Sequence, residues 1–370
     1  PDNKRGAGSS AALNGATTTQ WWLSEAWLAA TVGKTTAKVG RQYLDTPLAF
    51  SETWNIVANS FTAAVLLNQD IPKTTLVAAY VGQSNGAAVG TVANAGNGAT
   101  PFSGYRSYNN TLNVLQTLNG AAVVNAANGV GGRGAYAAGA VTTAIPFVTA
   151  QAWYYDVKRV ATAYWLQADA KIIDMVVLGG QYASMTPADQ IQNLTTNNGA
   201  DHSADNDSNA YSLKAGVEVK DIVNATLAYS STDKKGVLNI QNTATGTQSK
   251  LYTEAWWNYG FVGMPGADSW MLNVNSDVNG MFGVFAQYNN IEVDPQDTLT
   301  VRFGKDTVQE FAVGVDKSFG ALDLAVAYIN TDMQFGNEGV NTSWSSLVVG
   351  DATQANYTDN RLQVYVTVNF

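Results

Sequence analysis

Polar and apolar residues alternate one by one along much of this chain. At its C-terminal end Leu362, Val364, Val366, Val368 and Phe370 alternate with Arg361, Gln363, Tyr365, Thr367 and Asn369. Strict period two gives a strand one greasy face and one polar face. The apolar half of the pattern returns at Leu213, Ala215, Val217 and Val219, at Phe282, Val284, Ala286 and Tyr288, and at Leu322, Leu324, Val326 and Tyr328. The pattern predicts strands over 20–32, 35–44, 59–69, 73–84, 134–144, 147–156, 159–169, 172–184, 209–219, 222–231, 268–276, 280–289, 308–318, 321–332 and 361–370. The stretch 298–303 extends one of them. Their usual length, about 9–11 residues, is what a tilted strand needs to cross a bilayer.

The connections alternate in length. Gly33-Lys34, Asp70-Ile71-Pro72, Ile145-Pro146, Ala170-Lys171, Lys220-Asp221, Asp277-Val278-Asn279 and Phe319-Gly320 read as tight turns. Between them fall polar insertions at 45–58, 85–133, 185–208, 232–267, 290–307 and 333–360, with Val157-Lys158 the one short member of the long series. An up-and-down barrel has turns at one end and loops at the other. A soluble sandwich has no reason to keep the two lengths on alternate connections. The fold class is therefore all-β: a single transmembrane antiparallel up-and-down β-barrel over 1–370, with 85–133, 185–208, 232–267 and 333–360 as extracellular loops. About fifteen strands are visible, whereas bacterial single-chain barrels have an even number. The expectation is that Pro1 to Thr19 ends an external loop and that one or three strands precede this sequence.

Composition sharpens the reading. The chain is 46% hydrophobic but only 13% charged, against about 25% charged in soluble domains. It has no apolar run of about 18 residues that would make a spanning helix. Ten Trp, 17 Tyr, 12 Phe and 34 Gly suit strands with a lipid-facing side. With no cysteine and one histidine, His202, thiolate chemistry and His-rich metal sites are excluded. A net charge of −9 argues against nucleic acid as a partner. The opening Pro1-Asp2-Asn3-Lys4 has no basic-then-apolar leader, which an exported protein would have lost. No nucleophile elbow, His-Glu-x-x-His or P-loop is present, so the chain is not expected to be an enzyme. Gly129-Val130-Gly131-Gly132-Arg133-Gly134 lacks the strand-turn-helix context of a dinucleotide fingerprint.

The block Val39-Gly40-Arg41-Gln42-Tyr43-Leu44-Asp45-Thr46-Pro47-Leu48, followed by 61–67, resembles the bacterial OprD-like outer-membrane porins. The stretch 134–231, with Ala150-Gln151-Ala152-Trp153-Tyr154-Tyr155-Asp156, is similar to the major outer-membrane porins of Epsilonproteobacteria. The resemblance covers most of the chain on short, degenerate motifs. It implies an 18-stranded barrel, with 16 the alternative, assembled as a homotrimer amid outer-membrane lipid and lipopolysaccharide, and three strands before Gln20. Some members bind calcium. The chain departs from the pattern in its Ala/Gly/Asn-rich loop at 85–133 and its acidic balance.

In such a protein the lumen and its inward-folded loop carry function. The resemblance makes 45–58 the candidate for that loop, where Asp45 and Glu52 supply carboxylates and Trp54 an anchor; the alternative is an ordinary external loop. Strand parity turns Glu25, Trp27, Lys38 and Gln42 inward. Arg41 has the outward parity, but a bend near the loop end would re-aim it to the constriction. Gln151, Trp153, Tyr155, Lys214, Glu218, Arg302, Glu310, Asp316, Asp323, Arg361 and Gln363 complete the expected pore lining. Opposed basic and acidic walls orient polar solutes, and rings of charge select ions by sign. Each residue taken alone also fits an inert, solvated wall position. Asp201, Asp205 and Asp207 in the loop 197–209 offer oxygen ligands for calcium, but the loop lacks the bidentate Glu of an EF-hand, and a disordered polar loop is the favoured reading. Trp256, Trp257, Tyr259 and Phe261 could belong to an interfacial girdle or cap the pore mouth, and they fit a packed loop or girdle better than an aromatic-substrate site.

The expected function is a passive outer-membrane channel for small hydrophilic solutes and ions, with a mild cation preference. The alternatives are a substrate-selective channel for small carboxylates or amino acids, and a surface-binding barrel with an occluded lumen.

Overall fold

The computed structural model describes residues 23–52, 58–84, 106–107, 134–158, 161–188, 207–236, 238–244, 248–278, 280–294, 305–334 and 356–368. These form one antiparallel sheet in chain order. Its strands are β1 (Ala26–Val32), β2 (Thr35–Gln42), β3 (Phe61–Asn68), β4 (Thr74–Ser84), the two-residue β5 (Arg106–Ser107), β6 (Ala135–Thr142), β7 (Val148–Val157) and β8 (Ala161–Ile172). They continue as β9 (Val176–Pro187), β10 (Ser208–Val219), β11 (Val223–Thr232), β12 (Ala267–Asp277), β13 (Gly283–Val293), β14 (Asp306–Phe319), β15 (Leu322–Gln334) and β16 (Asn356–Val368). Every long strand pairs with its sequence neighbours, and β5 hangs from the end of β4 beside β6. No α-helix occurs among the described residues; a single 3-10 turn spans Tyr259–Phe261. β1 and β16 are the two edges of the sheet and are not paired with each other.

The alternation of side chains sets two unlike faces. On β10, Ser208, Ala210 and Ser212 are buried, while Tyr211, Leu213 and Val217 are exposed. The outer face carries exposed Leu28, Leu66, Leu166, Leu227, Val315 and Leu362, the arrangement expected where lipid replaces water. Toward the loop end this face bears a belt of rings. Tyr80 packs on Tyr136 at 5.0 Å, Tyr154 on Tyr164 at 5.2 Å, Tyr211 on Tyr229 at 6.0 Å and Tyr229 on Trp270 at 4.6 Å. Amphipathic rings favour the membrane–water interface.

Short turns and long loops keep to opposite ends, as the sequence pattern implies. One turn differs in position. The break expected at Ala170-Lys171 lies instead at Ile173-Asp174, both at positive φ (55° each), with the Met175 N–H donating to the Ile172 carbonyl at 3.2 Å. β8 therefore runs three residues beyond its expected end, and Lys171 stays on the inner face beside Glu218. β16 begins five residues earlier than its alternation suggested. The extension expected at 298–303 lies outside the described residues.

Candidate functional site

The inner face of the sheet holds polar side chains and two segments that enter from the loop end. The first is 45–52 with 58–60, between β2 and β3. The second is the described part of 233–266, between β11 and β12. Leu48, Leu238, Ile240, Leu251, Phe261, Val262 and Met264 from these segments share one buried cluster with Trp153, Tyr155, Trp165 and Met185 of the wall. Apolar loop residues thus find their burial inside the curved sheet.

The two segments grip each other. The Thr243 N–H and hydroxyl donate to the Leu48 carbonyl at 2.8 and 2.6 Å. The Asn242 amide donates to the Phe50 carbonyl at 2.8 Å and to Glu52 Oε1 at 2.9 Å. Glu52 is 2% exposed, a buried acceptor rather than a solvated one. Asp45 is ion-paired with Lys250, while its side chain stays 85% exposed. The Lys250 ammonium also lies 4.8 Å from the Phe50 ring.

Wall side chains peg the second segment in place. Gln181 on β9 donates to the Lys250 carbonyl at 2.9 Å and accepts the Tyr252 N–H at 3.1 Å. On β13, Asn289 donates to the Thr253 carbonyl and Gln287 to the Glu254 carbonyl, both at 2.8 Å. On β14, Glu310 receives backbone N–H groups from Trp256, Trp257 and Asn258, and the Asn258 side-chain amide at 2.7 Å. A carboxylate 1% exposed is held there by donors converging on both oxygens.

Several of the described lumenal cations face carboxylates. Lys214 pairs with Asp169 at 2.6 Å and lies 4.2 Å from the Tyr252 ring. The Tyr252 hydroxyl donates to Asp169 at 2.7 Å. Burial, reinforced by that carboxylate, pushes this hydroxyl above the usual phenol range, so it remains a donor. Lys171 pairs with Glu218 at 2.8 Å, and Arg361 pairs with Asp359 while stacking 4.3 Å over Trp257. Lys38 sits 4.1 Å from the Trp27 ring.

The remaining expected residues have these positions. Glu25 accepts the Tyr43 N–H at 3.4 Å. Arg41 has the outward parity, pairs in register with Ala26, and its guanidinium donates to the Leu23 carbonyl at 2.9 Å. Gln42 is buried and donates to the Ala63 carbonyl at 3.0 Å. Gln151 accepts the Trp153 ring N–H at 2.8 Å; Trp153 stacks with Tyr155 at 6.1 Å. Opposite Trp153, Gly139 leaves room for the ring: an added Cβ would lie 2.3 Å from Trp153 Cε3. Gln363 accepts the Trp256 ring N–H at 3.2 Å and the Tyr365 hydroxyl at 2.7 Å. Asp316 and Asp323 share the inward parity of Glu310 and Ala325 respectively. Arg302, Trp54, Asp201 and Asp205 lie outside the described residues, and Asp207 is exposed. Among the described residues no group of three potential metal ligands converges.

Asp169, Gln181, Gln287, Asn289, Tyr252 and Lys250 were not among the expected site residues. The first four sit at inward positions of β8, β9 and β13, where the period-two rule points to them.

No protein-family model and no curated protein matches the chain. Solved structures match its fold. OccK11 (OpdR) of Pseudomonas aeruginosa superposes with a TM-score of 0.63 at 14% identity, over 93% of this chain and 80% of its own. The outer membrane protein opdK from Pseudomonas aeruginosa gives 0.65 at 11% identity, over 92% and 78%. OccAB4 of Acinetobacter baumannii gives 0.60 at 13% identity, over 92% and 74%. The likeness is one of fold: this chain has the antiparallel up-and-down architecture of the OprD-like β-barrels.

Proposed function

We propose that this chain is an outer-membrane porin that passes small hydrophilic solutes and ions by passive diffusion. The observation that supports it is the pairing of an apolar outer face with a polar inner face onto which two loop segments fold, 45–52 and 233–266. Such segments narrow a wide barrel without closing off its turn end. A mild cation preference follows from the charge pattern. Lys214, Lys171, Lys250 and Arg361 are each matched by a carboxylate, and the chain as a whole is acidic. We place the barrel in outer-membrane lipid, against lipopolysaccharide on its loop side, as a homotrimer.

The test is single-channel conductance in planar bilayers, with reversal potential under a potassium chloride gradient. Stable conductance steps with reversal on the cation side are expected. Silence in the bilayer would favour a surface-binding barrel with an occluded lumen, and reversal at the anion potential would overturn the charge argument. A substrate-selective channel is the second reading, favoured by a cavity at the turn end of the lumen. Carboxylates and amino acids are the solutes that the family resemblance suggests for it.

A further inference from the structure

Beneath the inward-folded segment, toward the short turns, lies a cavity of about 630 Å³. That falls within the size range of small-molecule sites, roughly 300–1,000 Å³. Its space arises where small residues face the lumen: Gly283, Ala325 and Ala327 all line it. Its roof is an aromatic shelf. Phe285 lies flat across the neighbouring strand because Gly314 is opposite; an added Cβ there would be 2.4 Å from Phe285 Cε1. Trp256 stacks on Phe285 with centroids 4.5 Å apart and planes 17° from parallel. Gln363 then fixes the Trp256 ring through its indole N–H, and the backbone beside it is held by Glu310. Tyr365 adds a third ring to the lining. The shelf is thus rigid and presents aromatic surface to the cavity.

The charged groups in the lining are Glu218, Asp221, Asp277 and Asp316 against Lys220. Lys171 offsets Glu218 from outside the lining. Asp316 lies across from Gly283, with its carboxylate where a side chain at 283 would stand. Aromatic faces attract cations through the ring quadrupole, most strongly for Trp. An excess of carboxylates opposite such a face disfavours anions and suits a cation with apolar substituents.

We propose that this cavity is a solute subsite for small organic ammonium ions, which rest on the Trp256–Phe285 shelf and face Asp316 and Asp277. The inference deepens the channel reading, on which its transport role rests, and it is separable from that reading by experiment. Titration calorimetry of the full chain in detergent, with choline chloride as the probe, should show saturable binding. Asp316→Asn and Trp256→Leu should each weaken binding about tenfold, the scale of a desolvated cation–π or charge contact. Sodium benzoate should give no saturable heat. Choline should also reduce ion current when added from the turn side of a planar bilayer, with the same two variants relieving the block. Absence of saturable choline binding, equal binding of benzoate, or binding untouched by both substitutions would overturn the subsite. Choline binding by a protein that never conducts would retain the subsite and overturn the channel.

Discussion

Glu310 accepts the backbone N–H of Trp257 through both carboxylate oxygens, each at 3.0 Å. The N–H groups of Trp256 and Asn258 flank this contact at 2.5 and 2.7 Å. Three successive main-chain donors therefore converge on one buried anion, the arrangement of a backbone nest. Glu310→Ala leaves these donors buried without their acceptor, at about 1–3 kcal/mol for each group stranded. The expected result is a lower urea midpoint together with larger, noisier conductance steps, since 233–266 loses its hold on β14. Glu310→Gln keeps one carbonyl oxygen and should fall between. Unchanged conductance in Glu310→Ala would mean that the tether does not position the loop.

Asp45 and Glu52 belong to the same inward segment but should respond differently. Glu52 is buried against Asn242, whereas Asp45 is exposed beside Lys250. Asp45→Asn should shift the reversal potential toward anions with little change in stability, because exposed pairs contribute about 0–1 kcal/mol. Glu52→Gln should cost more stability, on the order of 1–3 kcal/mol, through its buried hydrogen bonds. The opposite ranking, with selectivity moved by Glu52→Gln alone, would place Glu52 at the open passage.

Adjacent residues on β10 test which face meets lipid. Leu213 points outward and Lys214 inward to Asp169. Leu213→Arg should lower folding stability in bilayers by up to about 2–4 kcal/mol, the cost of a midplane charge. Ala210→Arg, Ser212→Arg or loss of Lys214 would act through lumen packing and charge instead. The distinguishing readout for Leu213→Arg is lipid dependence: its penalty should shrink in detergent micelles. An equal penalty in both media would contradict the assignment of the face.

Ile173 occupies a left-handed conformation, φ 55°, at a turn tip where it is 80% exposed. A β-branched residue is poorly suited to that region. Ile173→Asn should relieve roughly 1 kcal/mol of backbone strain and raise the urea midpoint. A fall in the midpoint would indicate that the exposed side chain gains more from the membrane interface than the backbone loses.

The fold was legible because lipid and water impose opposite demands on alternate residues, as at Leu362 and Gln363 or Leu213 and Lys214. The turn after β8 is hard to place from sequence because Ile173-Asp174 contains neither Gly, Pro nor Asn, and Asp174 is its one turn-forming residue. The inward course of 233–266 was hidden for a different reason. Its contacts to Gln181, Asn289 and Glu310 span tens of residues and follow no period. A signal was nevertheless present: Leu238, Ile240, Leu251, Phe261, Val262 and Met264 are too many large apolar residues for a segment lying in water. Gln181, Gln287 and Asn289 could be read from parity, but their task as pegs could not, because it depends on carbonyls and amides of a distant segment.

The Glu310 nest takes hold of peptide groups, which every residue type except proline can offer. Side chains at 256 and 257 are therefore free to change while the strap that carries them stays where it is. Selection can retune what the proposed channel would prefer by swapping one ring for another, without having to rediscover how the strap is fastened.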